Sequence, residues 1–330
     1  MTGPIDRRRL IIGASMLGAM PSIGWAQADR WPSRPVKVLV GFPAGQATDI
    51  IARTFCDEFT RSYGQSFVVE NRPGAGSMLS AQLVTKAAPD GYTLMWGGSG
   101  NLGIAPYLNK ATAGYNPVSD FEAVMVSGVV PMLLVVRAES EFKSLPDLLK
   151  AARSRRMTYG SGGNGVTNHI AAELLKLMAQ VNIDHVPYKG DAPALQDLIG
   201  GQFDVMFASL PACIGQVRSG RLRALATSTM GRLEPIDILR NVPAVSETVP
   251  NYECVAWTAL VGPVGLPAAI RDSLATAART VMGNEAVRNR FVQMGNFVDP
   301  SMTVEKSKAW IRSEGEKFSR VISEAKISPT

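Results

Sequence analysis

Residues 156–177 read RMTYGSGGNGVTNHIAAELLKL: a short apolar strand, a glycine-rich turn and a helix. Gly160, Gly162, Gly163 and Gly165 free the backbone to take positive φ and put no side chain in the way, so several N–H groups can converge on one point. Thr167 or Asn168 is the expected cap of the helix that follows, whose first turn carries partial positive charge and is a ready seat for an anion. Two other readings stand beside this anion cradle. One is a plain tight turn, and the other is a dinucleotide fingerprint, because Gly160, Gly162 and Gly165 spell G-x-G-x-x-G.

Working outward, the same strand–loop–helix pattern recurs. A β-branched run at 36–40 is broken by FPAGQATD at 42–49, after which Ile50, Ile51, Phe55 and Phe59 form a helical stripe. Asp49 either caps that helix or meets a ligand's amine. Strand 67–70, helix 78–87 and strand 93–96 follow, the last ending in the glycine-rich exit 97–101. Strands alternating with helices imply a parallel, helix-covered sheet with the loops after strand C-termini gathered on one edge. The apolar stretch 121–136 is too long for one strand and contains Gly128 and Pro131, so it reads as two strands crossing between domains. Alternation then restarts: a helix capped by Ser144 with Pro146 in its first turn, the strand before Gly160, the helix from Thr167, and strands at 184–187, 203–207 and 222–226 with helices between. A second crossing strand at 255–261 returns the chain to a helical C-terminal region.

The fold class expected is therefore α/β with two lobes: two parallel-dominated, helix-covered sheets joined by two crossing strands and enclosing a cleft. Residues 29–126 and 255–330 would form a discontinuous first lobe, and 127–254 the second.

At 330 residues and 46% apolar the chain can bury two such cores. Its net charge of +6 includes a surplus of two from the first 28 residues, and no basic run or aromatic-interleaved stripe lies elsewhere, which argues against nucleic acid as a partner. Cys56, Cys213 and Cys254 lack metal-ligand spacing, as do His169 and His185, so no metal is expected, and a Cys213–Cys254 pairing stays open. Arg7-Arg8-Arg9, an apolar run at 10–23 too short to span a bilayer, and Ala26-Gln27-Ala28 form an export signal expected to be cleaved after Ala28 and to deliver the protein to the periplasm. The arginines are twin-arginine-like, which leaves the Tat and Sec routes both open.

Taken together, several stretches resemble the Bug-type substrate-binding receptors of the bacterial tripartite tricarboxylate transporters. They are Phe42-Pro43-Ala44-Gly45 with Asp49, the segment 69–76 (VENRPGAG), 89–94 (PDGYTL), Asp120-Phe121, Tyr159-Gly160-Ser161-Gly162 through to His169, 185–190 (HVPYKG) and 222–226 (LRALA). The resemblance spans essentially the whole chain after residue 28. It implies a type II periplasmic binding protein, without cofactor, acting as a monomer: two lobes close on a small carboxylate held by backbone amides, hydroxyls and waters, then pass it to separate membrane subunits or to a sensor kinase. Carried over to this sequence, the ligand-binding candidates are Phe42, Ala44, Gln46, Ala47, Thr48 and Asp49 in the first loop. Ser161, Gly163, Val166 and Thr167 are their counterparts in the second, with His169 more a brace of that loop than a ligand contact. Ser99, Tyr188 and Ser209 follow strand ends. Gln46 stands where the family usually has glycine, Val166 where a hydroxyl residue is common, and Leu266 replaces a helix-capping threonine. The ligand's class stays open among dicarboxylates, tricarboxylates, amino acids and aromatic acids.

The alternative is an exported NAD(P)-dependent oxidoreductase with pyrophosphate on Gly160-x-Gly162-x-x-Gly165 and Asp184 on a ribose hydroxyl. No catalytic His, Lys or Tyr constellation accompanies that motif. A hydrolase would need G-x-S-x-G, and Gly97-Gly98-Ser99-Gly100-Asn101 lacks the final glycine.

Overall fold

The computed structural model describes residues 31–329, so the export signal expected over 1–28 lies outside the described residues. In chain order the first part comprises β1 (Val36–Val40), α1 (Ala47–Tyr63), β2 (Phe67–Asn71), α2 (Met78–Thr85), β3 (Thr93–Gly98), the short α3 (Ala105–Leu108) and α4 (Lys110–Ala113), and β4 (Phe121–Val130). The second comprises β5 (Met132–Arg137), α5 (Leu145–Ser154), β6 (Met157–Ser161), α6 (Thr167–Ala179), β7 (Ile183–Pro187), α7 (Asp191–Ile199), β8 (Val205–Ser209), α8 (Leu210–Arg218) and β9 (Leu222–Thr227). Finally β10 (Ala256–Pro263) leads to α9 (Ala268–Gly283), α10 (Glu285–Gln293) and α11 (Val304–Glu324).

Two five-stranded sheets result, in the orders β2-β1-β3-β10-β4 and β7-β6-β8-β5-β9. Each has three parallel strands, then one antiparallel strand, then an edge strand that restores the first direction. The antiparallel strand is in both cases a crossing strand: β5 on entering the second sheet and β10 on returning to the first. Pro131 alone separates β4 from β5, as a residue without an amide donor breaks a ladder. Gly128, expected to share in that break, stays inside β4, where a Cβ would come 2.7 Å from Asn296 Oδ1.

Local chemistry explains the helix ends. Ser144 accepts from Asp147 N at the start of α5, Asn284 from Val287 N at α10 and Thr303 from Lys306 N at α11, each satisfying one orphan amide. The N-cap of α9 is Pro267, not Leu266, so the expectation that Leu266 costs this helix a cap does not hold: position 266 lies one residue ahead of the cap. The first core packs Phe55 between Trp96 and Phe291, the latter stacked at 5.6 Å, over β1 and β3. The second gathers Tyr159, Phe207 and Tyr252 between β6, β8 and α6. α11 contributes Val304 to the first core and Phe318, Val321 and Ile322 to the second, so one helix is anchored in both. Burying one such phenylalanine is worth roughly 1.5–3 kcal/mol. All three cysteines are free and buried, Cys213 and Cys254 in different cores, so the open pairing does not form.

Candidate functional site

Two loops at the C-terminal edges of the sheets carry the candidate residues. β1 runs parallel to β3, so the loop after β1 and the turn after β3 emerge on the same edge. Phe42 lies against Gly100, where a Cβ would meet the Phe42 ring at 3.2 Å. Ser99, next in line, is 3.4 Å by Oγ from Thr167 Oγ1 at the start of α6. Leu108 closes on Gly165, where a Cβ would overlap its Cδ2. This chain of contacts brings the loop of one sheet against the loop of the other.

The first loop is held by a charged clamp. Asp49 is only 2% exposed; its Oδ2 accepts from Gly45 N at 2.9 Å and Arg53 Nε at 3.0 Å, and its Oδ1 from Asn71 Nδ2 at 2.8 Å. Asn71 also donates to Phe42 O and accepts from Arg53 Nη2. Burial opposes ionisation of Asp49, but the bonds from Arg53, Gly45 and Asn71 outweigh it and hold the carboxyl below its usual range. Asp49 is thus not the N-cap; it is buried, and both its oxygens are engaged by Gly45, Arg53 and Asn71. Gln46 occupies the N-cap position in extended conformation (φ −76°, ψ 162°), its side chain exposed and not capping. Ala44 and Ala47 are exposed and Thr48 half-buried. The amides of Ala47 and Thr48 have no acceptor among the described residues.

The second loop is held mainly by neutral groups, with one carboxylate, Asp191, at its far side. Ser161, fully buried, bonds Gly163 O and N and lies 2.6 Å from His185 Nε2, so its hydroxyl is engaged inside the loop. His169 Nδ1 accepts from Gly165 N at 2.9 Å, and its ring stacks on His185 at 3.9 Å. Burial pushes both imidazoles down to about 4, which leaves them neutral at pH 7 and Nδ1 of His169 free to accept. The expected caps Thr167 and Asn168 do not cap: Val166, extended and 39% exposed, holds the N-cap position. Asn168 instead accepts from Gly162 N and donates to Asp191 Oδ1 at 2.7 Å. The amides of Val166, Thr167 and Asn168 have no acceptor among the described residues.

Of the remaining candidates, Ser209 donates to Asp191 Oδ2 at 3.0 Å. Tyr188, half-buried, donates to Asp197 Oδ2 of α7 at 2.8 Å, with burial first and then that bond pushing its hydroxyl up to about 12. Asn71, Asn168, His185 and Asp191 were not candidates from sequence. Asn71 ends β2 and Asp191 follows β7, and the rule that strand C-termini and the loops after them gather on one edge is the signal that points to them. Neither loop contains lysine or arginine; what each offers is a helix N-terminus with unpaired amides.

The dinucleotide reading loses its geometry. Gly160 is inside β6 against Phe203, not in the turn, and the amides of Gly162, Gly163 and Gly165 are taken by side chains. Asp184 pairs with Thr158 in register, three residues before the strand end, and forms an ion pair with Arg156. No cluster of three or more His, Cys, Asp or Glu able to hold a metal occurs among the described residues.

Two α/β sheets of this shared order, each receiving one crossing strand and facing the other with its C-terminal loops, define the two-lobed periplasmic binding protein fold. The chain belongs to the tripartite tricarboxylate transporter receptor family, whose pattern it matches over residues 51–327. It is 30% identical over 300 residues to the protein BugT of Bordetella pertussis, covering 90% of this chain and 91% of that one. Among solved structures it is similar to R. palustris Rpa4515 with adipate, at 33% identity and TM-score 0.74, covering 91% and 100% of the two chains. Similar too is MatC of Rhodopseudomonas palustris with bound malate, at 29% identity and TM-score 0.70 over 88% and 99%.

Proposed function

We propose that this protein is a periplasmic receptor that captures a small organic carboxylate between its lobes and delivers it to membrane subunits of a tripartite tricarboxylate-type transporter. The observation that carries this reading is the pair of helix N-termini, at Ala47–Thr48 and Val166–Asn168, with unpaired amides on facing loops and no cation of their own. The relatives solved with adipate and malate support it. In this reading residues 29–126 with 255–330 form one lobe and 127–254 the other, and the protein acts as a monomer exported by its first 28 residues. The lobes close about Pro131 and β10 because only the closed state lets one carboxylate accept from both loops. The amides recognise the carboxylate, and Phe42, Gln46 and Val166 form the walls that select what is attached to it.

A thermal-shift panel of the mature protein, refolded to strip carried ligand, tests this with small carboxylates against NAD and neutral sugars. A ligand at ~100 times its Kd adds about 2.7 kcal/mol and a clear rise in melting temperature. A shift confined to carboxylates supports the receptor; a shift with NAD alone defeats it.

A further inference from the structure

Ser209 ends β8, and its register partner is Met132, the first residue of β5 after the crossing at Pro131. Leu210 N donates to Pro131 O at 3.0 Å, fixing Ser209 beside the point where the chain passes between lobes. The residue is partly exposed, and its hydroxyl donates to Asp191 Oδ2 at 3.0 Å. Asp191 is itself at the glycine loop, since a Cβ on Gly162 would come 2.7 Å from its Oδ1, and Asn168 Nδ2 donates to that same oxygen at 2.7 Å. No cation pairs with Asp191 among the described residues.

An ionised carboxylate only accepts, and a serine hydroxyl has one proton. With that proton committed to Asp191, the exposed side of Ser209 offers lone pairs alone. A ligand acceptor placed there would meet oxygen against oxygen, whereas a ligand hydroxyl or ammonium completes the chain ligand–Ser209–Asp191–Asn168–Gly162. We propose that Ser209, oriented by Asp191, selects carboxylates that carry a hydrogen-bond donor, a hydroxy or amino acid, over the donor-free acid of the same skeleton. Asp191 is a positioning residue, acting on the ligand through Ser209.

This deepens the carboxylate reading and rests on it. Isothermal titration of the mature protein uses matched sets that differ at one carbon: succinate, malate and aspartate, and butyrate with 3-hydroxybutyrate. In any set that binds, a donor-bearing acid is expected to bind about tenfold or more tighter than its donor-free partner. Malate against aspartate distinguishes hydroxyl from ammonium. Ser209→Ala should bring the members within a few-fold of each other. Asp191→Asn, which turns an N–H toward Ser209 and frees the serine proton, should erase or invert the preference while the donor-free acid still binds, a result that loss of folding cannot imitate. Equal binding of donor-free acids to the wild type, or an unchanged preference in both variants, overturns the inference and leaves the receptor reading standing. If no acid of either set binds and the wider carboxylate panel also fails, both fall together; if only the wider panel binds, the preferred ligands lacking a donor overturn this inference alone.

Discussion

The two ligand loops do the same thing with opposite materials. Each places an extended, uncapped residue, Gln46 or Val166, ahead of a helix whose first amides stay unpaired. A side-chain cap would stabilise either helix by about 1 kcal/mol and would also fill the anion seat, so in the proposed reading stability is forgone where a carboxylate would supply the cap. What differs is the bracing. The first loop leans on an ion pair, Asp49 with Arg53, whose arginine is 47% exposed; the second leans on a neutral stack of buried Tyr159 and buried His169 about the half-buried His185, with Ser161. Charge and neutrality titrate in different windows, so the two loops are separable by experiment.

Acid gives the largest expected effect. His169 and His185 have folded values near 4 against about 6.5 unfolded, so between those values the unfolded chain binds more protons and stability falls as pH drops. The contribution is full above pH 6.5, and about 3 kcal/mol from His169, with a smaller solvent-screened share from the half-buried His185, is lost by pH 4, a fall of several degrees in melting temperature. Lys176 and Glu173, which face the stack from α6, belong to the same balance. Urea unfolding at pH 7.5 and 4.5 measures it, and His169→Asn with His185→Gln should flatten the slope. Asp49, with a lowered folded value, contributes stability that is present above its unfolded value near 3.8 and lost only as pH falls below that, so the first loop survives the window that weakens the second.

Removing the clamp comes next. Asp49→Ala strands Gly45 N, Asn71 and Arg53, costs about 2 kcal/mol, and should lower melting temperature and carboxylate affinity together. Smallest is Arg53→Ala, because its half-exposed guanidinium can be replaced by water. A change of no more than about 1 kcal/mol, diminishing with added salt, is expected in chemical unfolding. A salt-sensitive second loop, or a first loop lost between pH 6.5 and 4, would break the contrast.

Much of this architecture was legible in the sequence because it is local. The β-branched runs, the glycine exits, Ser144 before Pro146 and the break at Pro131 each act within a few residues. What escaped reading depends on partners far apart. Asn71 reaches Asp49 and Asp191 reaches Asn168 and Ser209 only once the strands align their ends. Ser161 looked like a ligand hydroxyl from its place in the loop, yet it is the last residue of β6 and is buried facing His185, which a glycine-rich stretch cannot signal. Asp49 was read as a cap or ligand group because Arg53, one turn on, and Asn71, at the next strand end, compete for it invisibly.

Proline at the first helical position tests directly whether ligand is held by first-turn amides. Ala47 and Thr167 are the first residues of α1 and α6, each after an extended residue, so proline fits either site while deleting one N–H. Isothermal titration of Ala47→Pro and Thr167→Pro, with the carboxylate that most raises the melting temperature, is the measurement to make. The expected result is an unchanged ligand-free melting temperature with affinity lowered roughly tenfold to a hundredfold in each variant. Wild-type affinity in both would contradict the account.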